Sequence, residues 1–237
     1  MADDEEAVAV VDGVRPWLPV LLALSANSPY WHGRDTGHAS WRSQVWSRWP
    51  TGGPREPLQG LADYRETARL LQEWGAAMDD AMLYFDVRLA AALPTVEIRV
   101  ADVCTDVDDA VLVAGLARAL VVTVLAEHRA TPGESPDGRW RSDLLRAAQW
   151  RASRYGVSDS LVHPGTRTLA PALEVVQALA AYAGDALDEA GERETLLSLA
   201  GDLVAAGGGA GRQRAVRART GRLEDVVRDL AERTARG

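Results

Sequence analysis

The sequence contains no lysine; all 26 of its basic residues are arginine. That absence excludes a P-loop lysine, a lysine Schiff base and a lysine general base. A single cysteine, Cys104, leaves no internal disulfide and no thiolate partner for a zinc site, and its apolar neighbours make it a small buried hydrophobe. The histidines, His32, His38, His128 and His163, have neither i, i+4 nor Cys/His metal spacing. His128 sits where a helix should end and reads as compensation for its dipole. GxSxG, HExxH, GxGxxG and EF-hand patterns are missing, which removes common hydrolase, protease and dinucleotide readings. No uninterrupted run of 18 apolar residues occurs, and the opening Met-Ala-Asp-Asp-Glu-Glu is the reverse of a signal peptide, so a cytoplasmic location is expected. A net charge of −8 argues against nucleic-acid binding and weakly against an anionic membrane surface.

What is present suits a folded chain of 237 residues, 47% apolar and 25% charged, forming one large or two small domains. Val8, Val11, Val14 and Leu18 follow helical spacing behind Asp3 or Asp4 as cap; Pro16 and Pro19 should interrupt that helix before a second piece ends at Ser25. Residues 61–78 read as a helix with Leu61, Tyr64, Ala68, Leu71 and Trp74 on one side. Residues 82–88 and 95–100 read as antiparallel strands. Thr105 and Asp108 resemble a capping box before a helix reaching about Glu127, apolar nearly all round and therefore expected to be buried. A Pro/Gly loop at 131–138 precedes helices near 139–155, 170–190, 192–206 and 222–235, with Gly207-Gly208-Gly209 as a break. These elements give an α+β fold, mostly helical with a small antiparallel sheet. Residues 1–130 would form one part, and 131–237 a helical region packed on it.

Two stretches carry candidate chemistry. Between Asn27 and Pro57 lie Trp31, Trp41, Trp46 and Trp49, interleaved with Arg34, Arg42 and Arg48. So much aromatic surface does not belong to a solvated linker; it should pack on the body and shape a site. The arginines offer bidentate donors to carboxylates or phosphates, or stack on the indoles in a structural loop. In Thr95-Val96-Glu97-Ile98-Arg99-Val100, period two puts Val96, Ile98 and Val100 on one face and Glu97 and Arg99 on the other. A carboxylate beside a guanidinium offers a hard oxygen ligand next to an anion clamp; a cross-strand ion pair is the alternative. Pairing with Asp86-Val87-Arg88 would add a second carboxylate and a second arginine to that face. Arg212, Gln213, Arg214, Arg217 and Arg219 read as a solvated helix face.

These residues resemble the glutamate–cysteine ligase type 2 family of carboxylate–amine ligases. The matching stretches are Leu24-Ser25-Ala26-Asn27-Ser28-Pro29, Gly33-Arg34-Asp35-Thr36-Gly37, Ser40-Trp41-Arg42 and Arg48-Trp49-Pro50-Thr51-Gly52-Gly53-Pro54. Further matches are Asp86-Val87-Arg88, the strand from Thr95 to Val103, Ala148-Gln149-Trp150-Arg151-Ala152, Arg154-Tyr155-Gly156 and Arg212-Gln213-Arg214. The resemblance covers essentially the whole chain, and the Glu-x-Arg-x-x-Asp strand is also similar to an element of glutamine synthetase.

The resemblance implies the C-terminal half of a glutamine-synthetase-like catalytic domain and ATP-dependent joining of glutamate to cysteine or another amine through an acyl phosphate. By this likeness Glu97 would ligate Mg2+, Arg99 would steady the substrate carboxylate or transferring phosphoryl group, and Arg88 would contact ATP phosphates. Arg42 would hold the amino-acid carboxylate, with Arg34 and Asn27 also binding substrate. In the family the segment similar to Glu5–Val11 follows acidic metal-binding strands, so this chain is expected to be incomplete, complemented by an N-terminal half, or homo-oligomeric. A non-catalytic helical partner or regulatory module is the alternative. The ligase expectation requires Glu97, Arg42, Arg88 and Arg99 to converge on a concavity large enough for a nucleotide.

Overall fold

The computed structural model describes residues 3–131 and 140–236. Most of the expected Pro/Gly loop at 131–138 lies outside the described residues. Helix α1 (Asp4–Gly13) begins with Asp3 accepting the Glu6 amide, and three acidic residues in its first turn complement the helix dipole. It yields to a short 3-10 turn, Arg15–Trp17, where Pro16 cannot supply an amide, and α2 (Leu18–Ser25) follows with Pro19 near its start. All eight residues of α2 are buried. Its four leucines each stabilise the fold by up to about 2 kcal/mol through loss of apolar surface to water.

Two short hairpins and two helices come next in the chain. Strands β1 (Tyr30–Trp31) and β2 (Arg34–Asp35) pair antiparallel, and α3 (Trp41–Trp46) is capped by Ser40, whose hydroxyl accepts the Ser43 amide. Helix α4 (Leu61–Glu73) is shorter than expected, because the chain turns at Gly75; Trp74 is 72% exposed and not part of the buried side. The expected strand at 82–88 is also displaced. Asp80–Met82 is a 3-10 turn, and β3 is Val87–Leu89, pairing antiparallel with β4 (Val96–Ile98) in the register Val87↔Ile98, Arg88↔Glu97 and Leu89↔Val96.

Helix α5 (Val107–Ala130) starts from Asp106 without the expected capping box. Leu112, Leu116, Ala119, Leu120 and Val124 face the core, but Val107, Val111 and Val122 are exposed, so this apolar helix is not enclosed on all sides. Among the described residues two helical stretches, Asp4–Ser25 and Val107–Ala130, are long and apolar enough to cross a membrane by length and composition; the first is largely buried in the core. Helix α1 crosses α5 closely at Gly13, where any side chain would run into Val124.

The second part contains α6 (Ser142–Tyr155), a third hairpin of β5 (Ser160–Val162) and β6 (Leu169–Pro171), then α7 (Ala172–Tyr182) and α8 (Gly184–Glu189). The expected helix at 170–190 is therefore two helices. After α9 (Arg193–Ala205), α10 (Gly208–Thr220) starts on the glycine run, which breaks one helix and opens another; α11 (Leu223–Arg236) closes the chain. One hydrophobic cluster joins α1, α2, β3, α5, α7, α8 and α9, so core side chains come from both parts of the chain. The architecture is α+β and predominantly helical, with three two-stranded antiparallel sheets among the described residues.

Candidate functional site

The β3–β4 register decides what its outer face presents. Val87, Leu89, Val96, Ile98 and Val100 pack toward the core, so period two turns Asp86, Arg88, Glu97 and Arg99 to the opposite face. The Arg99 amide donates to the Asp86 carbonyl at 2.8 Å, which extends the ladder past β3. Glu97 is the centre of this face. Its Oε2 accepts from Arg88 Nε at 2.9 Å and Arg99 Nη1 at 2.8 Å, and Arg88 Nη2 also lies 2.9 Å away. Among the described residues Oε1 has no hydrogen-bond donor, and the side chain is 37% exposed. Partial burial alone would raise the Glu97 pKa, but the hydrogen bonds and charges of Arg99 and Arg88 outweigh it and lower the pKa.

The arginines around Glu97 differ. Arg88 is buried, and its Nη1 donates to the carbonyls of Asp80, Ala81 and Leu83 at 2.7, 2.8 and 3.1 Å, so its donors are already engaged. Arg99 is half-buried, and among the described residues its Nε finds no partner. Arg42 donates from Nη2 to the Arg99 carbonyl at 3.0 Å and lies 3.9 Å from Asp102. Arg42 and Arg99 both sit over the Trp46 ring, at 4.9 and 5.4 Å from its centroid. Trp46 thus packs on the body and stacks with arginine, whereas Trp31 and Trp49 of the same segment stay exposed. The Trp46 indole donates to the Tyr84 carbonyl at 3.1 Å, and the Thr51 hydroxyl bridges the Met82 carbonyl and the Tyr84 amide.

Asp86 lies behind this group. Its carboxylate is buried and accepts from Gln149 of α6 at 2.7 Å. Desolvation pushes its pKa up to about 6, against the opposing pull of Gln149, Arg146 and Arg42. The cavity bordered by Arg42, Trp46, Asp86 and Gln149 measures only about 20 Å³, room for one water and not the expected nucleotide. A separate cleft of about 600 Å³ lies between α1, α4 and the β3–β4 turn, lined by Tyr64, Arg65, Arg69, Asp80 and Thr95 among others. It meets the charged centre through Asp80, whose carbonyl accepts from Arg88.

Arg34 and Asn27 stand apart from Glu97 in their contacts. Arg34 is exposed on β2, paired through its backbone with Trp31. Asn27 belongs to a second polar junction: its amide donates to Asp102, its carboxamide donates to Val103 and Thr105, and its oxygens accept from Gln213 at 2.6 and 2.7 Å. Asp102 also accepts the Ser28 hydroxyl at 2.7 Å and the Ser40 hydroxyl at 2.8 Å. Helix α10 reaches this junction because Gly209 has no side chain to collide with the Asn27 carboxamide. Two of its arginines do not belong to a solvated face: Arg212 pairs with Asp106 and Asp109, and Arg214 holds Asp35 through two hydrogen bonds, while Arg219 is exposed. Sequence reasoning gave Trp46, Gln149 and Gln213 no individual role; Trp46 was marked only as one of four tryptophans between Asn27 and Pro57, and the two glutamines only by position within family-like segments.

A model of glutamate–cysteine ligase family 2 matches residues 1–229. This chain belongs to that family. A Frankia alni protein provisionally named glutamate–cysteine ligase 2-2 is 51% identical over 94% of the chain and 57% of its own length. A Nocardioides protein provisionally named glutamate–cysteine ligase 2-1 is 52% identical over 99% of the chain and 60% of its own length. A Streptomyces coelicolor protein provisionally named glutamate–cysteine ligase 2 is 49% identical, covering 98% and 63% respectively. The chain thus spans about three fifths of the length of these curated family members.

For a divalent cation, the β3–β4 face offers one carboxylate oxygen without a donor among the described residues, Glu97 Oε1. Among the described residues no group of three His, Cys, Asp or Glu side chains could hold a metal ion. One carboxylate suits a Mg2+ ion coordinated mainly by phosphates and water, not an ion caged by protein.

Proposed function

We propose that this chain supplies the anion-handling face of a cytoplasmic, ATP- and Mg2+-dependent carboxylate–amine ligase acting on small molecules. The carrying observation is the meeting of Arg88 and Arg99 on one oxygen of Glu97, with Arg42 adjacent and the second oxygen without a donor. The substrate is glutamate with cysteine or another amine. A glutamate carboxylate oxygen attacks the γ-phosphorus, the bond to ADP breaks, and an acyl phosphate forms. The amine nitrogen then attacks the acyl carbon; the carbon–oxygen bond to phosphate breaks, and the amine's surplus protons pass to phosphate and water.

Both steps gather negative charge, so fixed guanidinium groups contribute more than a nucleophilic side chain would. Glu97 Oε1 would touch Mg2+ carried on ATP, an ion that lowers phosphate charge during transfer. Arg99 would face the transferring group, Arg42 and Arg34 the substrate carboxylates. Arg88 would act on ATP indirectly, by holding Glu97. Asn27 would fix the floor of the site through Asp102 and Gln213. The cleft beside Asp80 lies within the volume range of small-molecule sites and would take the nucleoside.

A second reading, a non-catalytic helical partner or regulatory module, draws on the lone candidate metal ligand and the water-sized cavity beside Arg42. ADP release with glutamate, Mg2+ and a panel of amines separates the two. Amine-dependent release that disappears in Glu97→Ala is expected. Absence of both turnover and nucleotide binding would favour the partner.

A further inference from the structure

Within that ligase reading, we infer that Trp46 is a positioning residue holding Arg42 and Arg99 together as one clamp for phosphoryl or carboxylate oxygens. The two guanidinium carbons lie 4.9 and 5.4 Å from one indole centroid, both inside cation–π range. Two like charges gain nothing from proximity alone; an electron-rich ring within range of both offsets that repulsion without consuming N–H donors. Glu97 occupies only Arg99 Nη1 and Asp102 stays 3.9 Å from Arg42, so the ring supports both charges without taking up further donors.

The indole is itself immobilised. Its Nε1 donates to the Tyr84 carbonyl, its ring packs on Tyr84 at 4.8 Å, and Arg99 also lies 5.8 Å from the Tyr84 ring. Arg42 adds a direct link by donating to the Arg99 carbonyl at 3.0 Å. The pair therefore moves with α3 and with the strand together. Among the described residues Arg99 Nε is enclosed without a partner, so Glu97 does not exhaust the hydrogen-bonding capacity of this guanidinium.

Nitrogen-15 spectra of the arginine side chains and calorimetric titration with inorganic pyrophosphate test the inference. In the wild-type chain the Arg42 and Arg99 side-chain protons should be shifted upfield by the indole ring current. Trp46→Phe keeps a ring, so it should retain shifted signals and weaken pyrophosphate binding by no more than about 3-fold. Trp46→Leu should lose the shifts and weaken binding about 10-fold. In an Arg99→Ala background the Trp46→Leu effect should largely vanish.

A folded Trp46→Leu chain that binds pyrophosphate like wild type overturns the inference, as does a phenylalanine variant no better than leucine. Should Trp46→Leu fail to fold, unshifted Arg42 and Arg99 signals in the wild type overturn it instead, and shifted ones support it. Pyrophosphate binding that follows Trp46 without any ligase turnover sinks the ligase reading alone. Turnover and binding indifferent to Trp46 sink this inference alone.

Discussion

Glu97 and Asp102 are acidic residues five positions apart on one segment, yet their surroundings differ in kind. Glu97 gives one oxygen to two arginines, keeps the other without a donor, and is half-exposed. Asp102 is buried and accepts from Asn27, Ser28 and Ser40, with Arg42 nearby. The first arrangement leaves capacity for a ligand. The second fastens β4 to the Asn27 segment and to the start of α3. A carboxylate's role is set by the number of donors already meeting it, not by its place in a Glu-x-Arg-x-x-Asp pattern.

The largest stability effect should come from breaking the fastener. Asp102→Ala would leave two hydroxyls, a backbone amide and a guanidinium without their shared acceptor, at a cost of about 3 kcal/mol in urea unfolding. A loss below about 1 kcal/mol would erase the contrast with Glu97.

Asp86 sharpens the comparison, because its carboxylate is buried with one donor where Asp102 has several. Its folded-state pKa, about 6, lies above that of an unfolded aspartate. Its contribution therefore favours folding most below pH 4, where both states are protonated. Stability is then lost as pH rises from about 4 to about 6, when the unfolded chain gives up its proton more readily. Asp86→Asn should raise stability by about 2 kcal/mol at pH 7.5 and change it little at pH 4, read from unfolding midpoints at the two values. An asparagine variant equally stable or weaker at pH 7.5 would contradict the assigned desolvation.

Glu97→Gln should have the smallest effect on stability, about 1 kcal/mol, because glutamine still accepts from Arg88 and Arg99 and the position is half-exposed. Amine-dependent ADP release should nevertheless fall by at least about 100-fold. A variant that unfolds as readily as Asp102→Ala, or that keeps full turnover, would remove the distinction between the two carboxylates.

Local pattern made part of this legible. Pro16 and Pro19 mark the break between α1 and α2 because a proline lacks the amide a helix interior needs. Alternation around Val96, Ile98 and Val100 identifies the buried face of β4, and with it the side on which Glu97 and Arg99 stand. Arg88 was not readable in the same way. Its neighbours in the chain do not reveal that Asp80, Ala81 and Leu83 fold back to offer three carbonyls. The basic run at Arg212–Arg214 looks like a solvated face until Asp35, Asp106 and Asp109, more than a hundred residues earlier, are brought against it. Trp74 misled for the opposite reason: it kept helical spacing just beyond the last helical residue.

By itself the sequence determined the family, the mostly helical α+β class and the side of the strand that carries charge, since these depend on ordered motifs and short-range periodicity. Only the tertiary structure decided which polar groups are satisfied. Saturation of Asp102, engagement of Arg88, the open oxygen of Glu97 and the shared ring of Trp46 each depend on groups distant in the chain meeting within hydrogen-bond or stacking range. Such meetings follow from how helices and hairpins pack, which residue spacing does not encode.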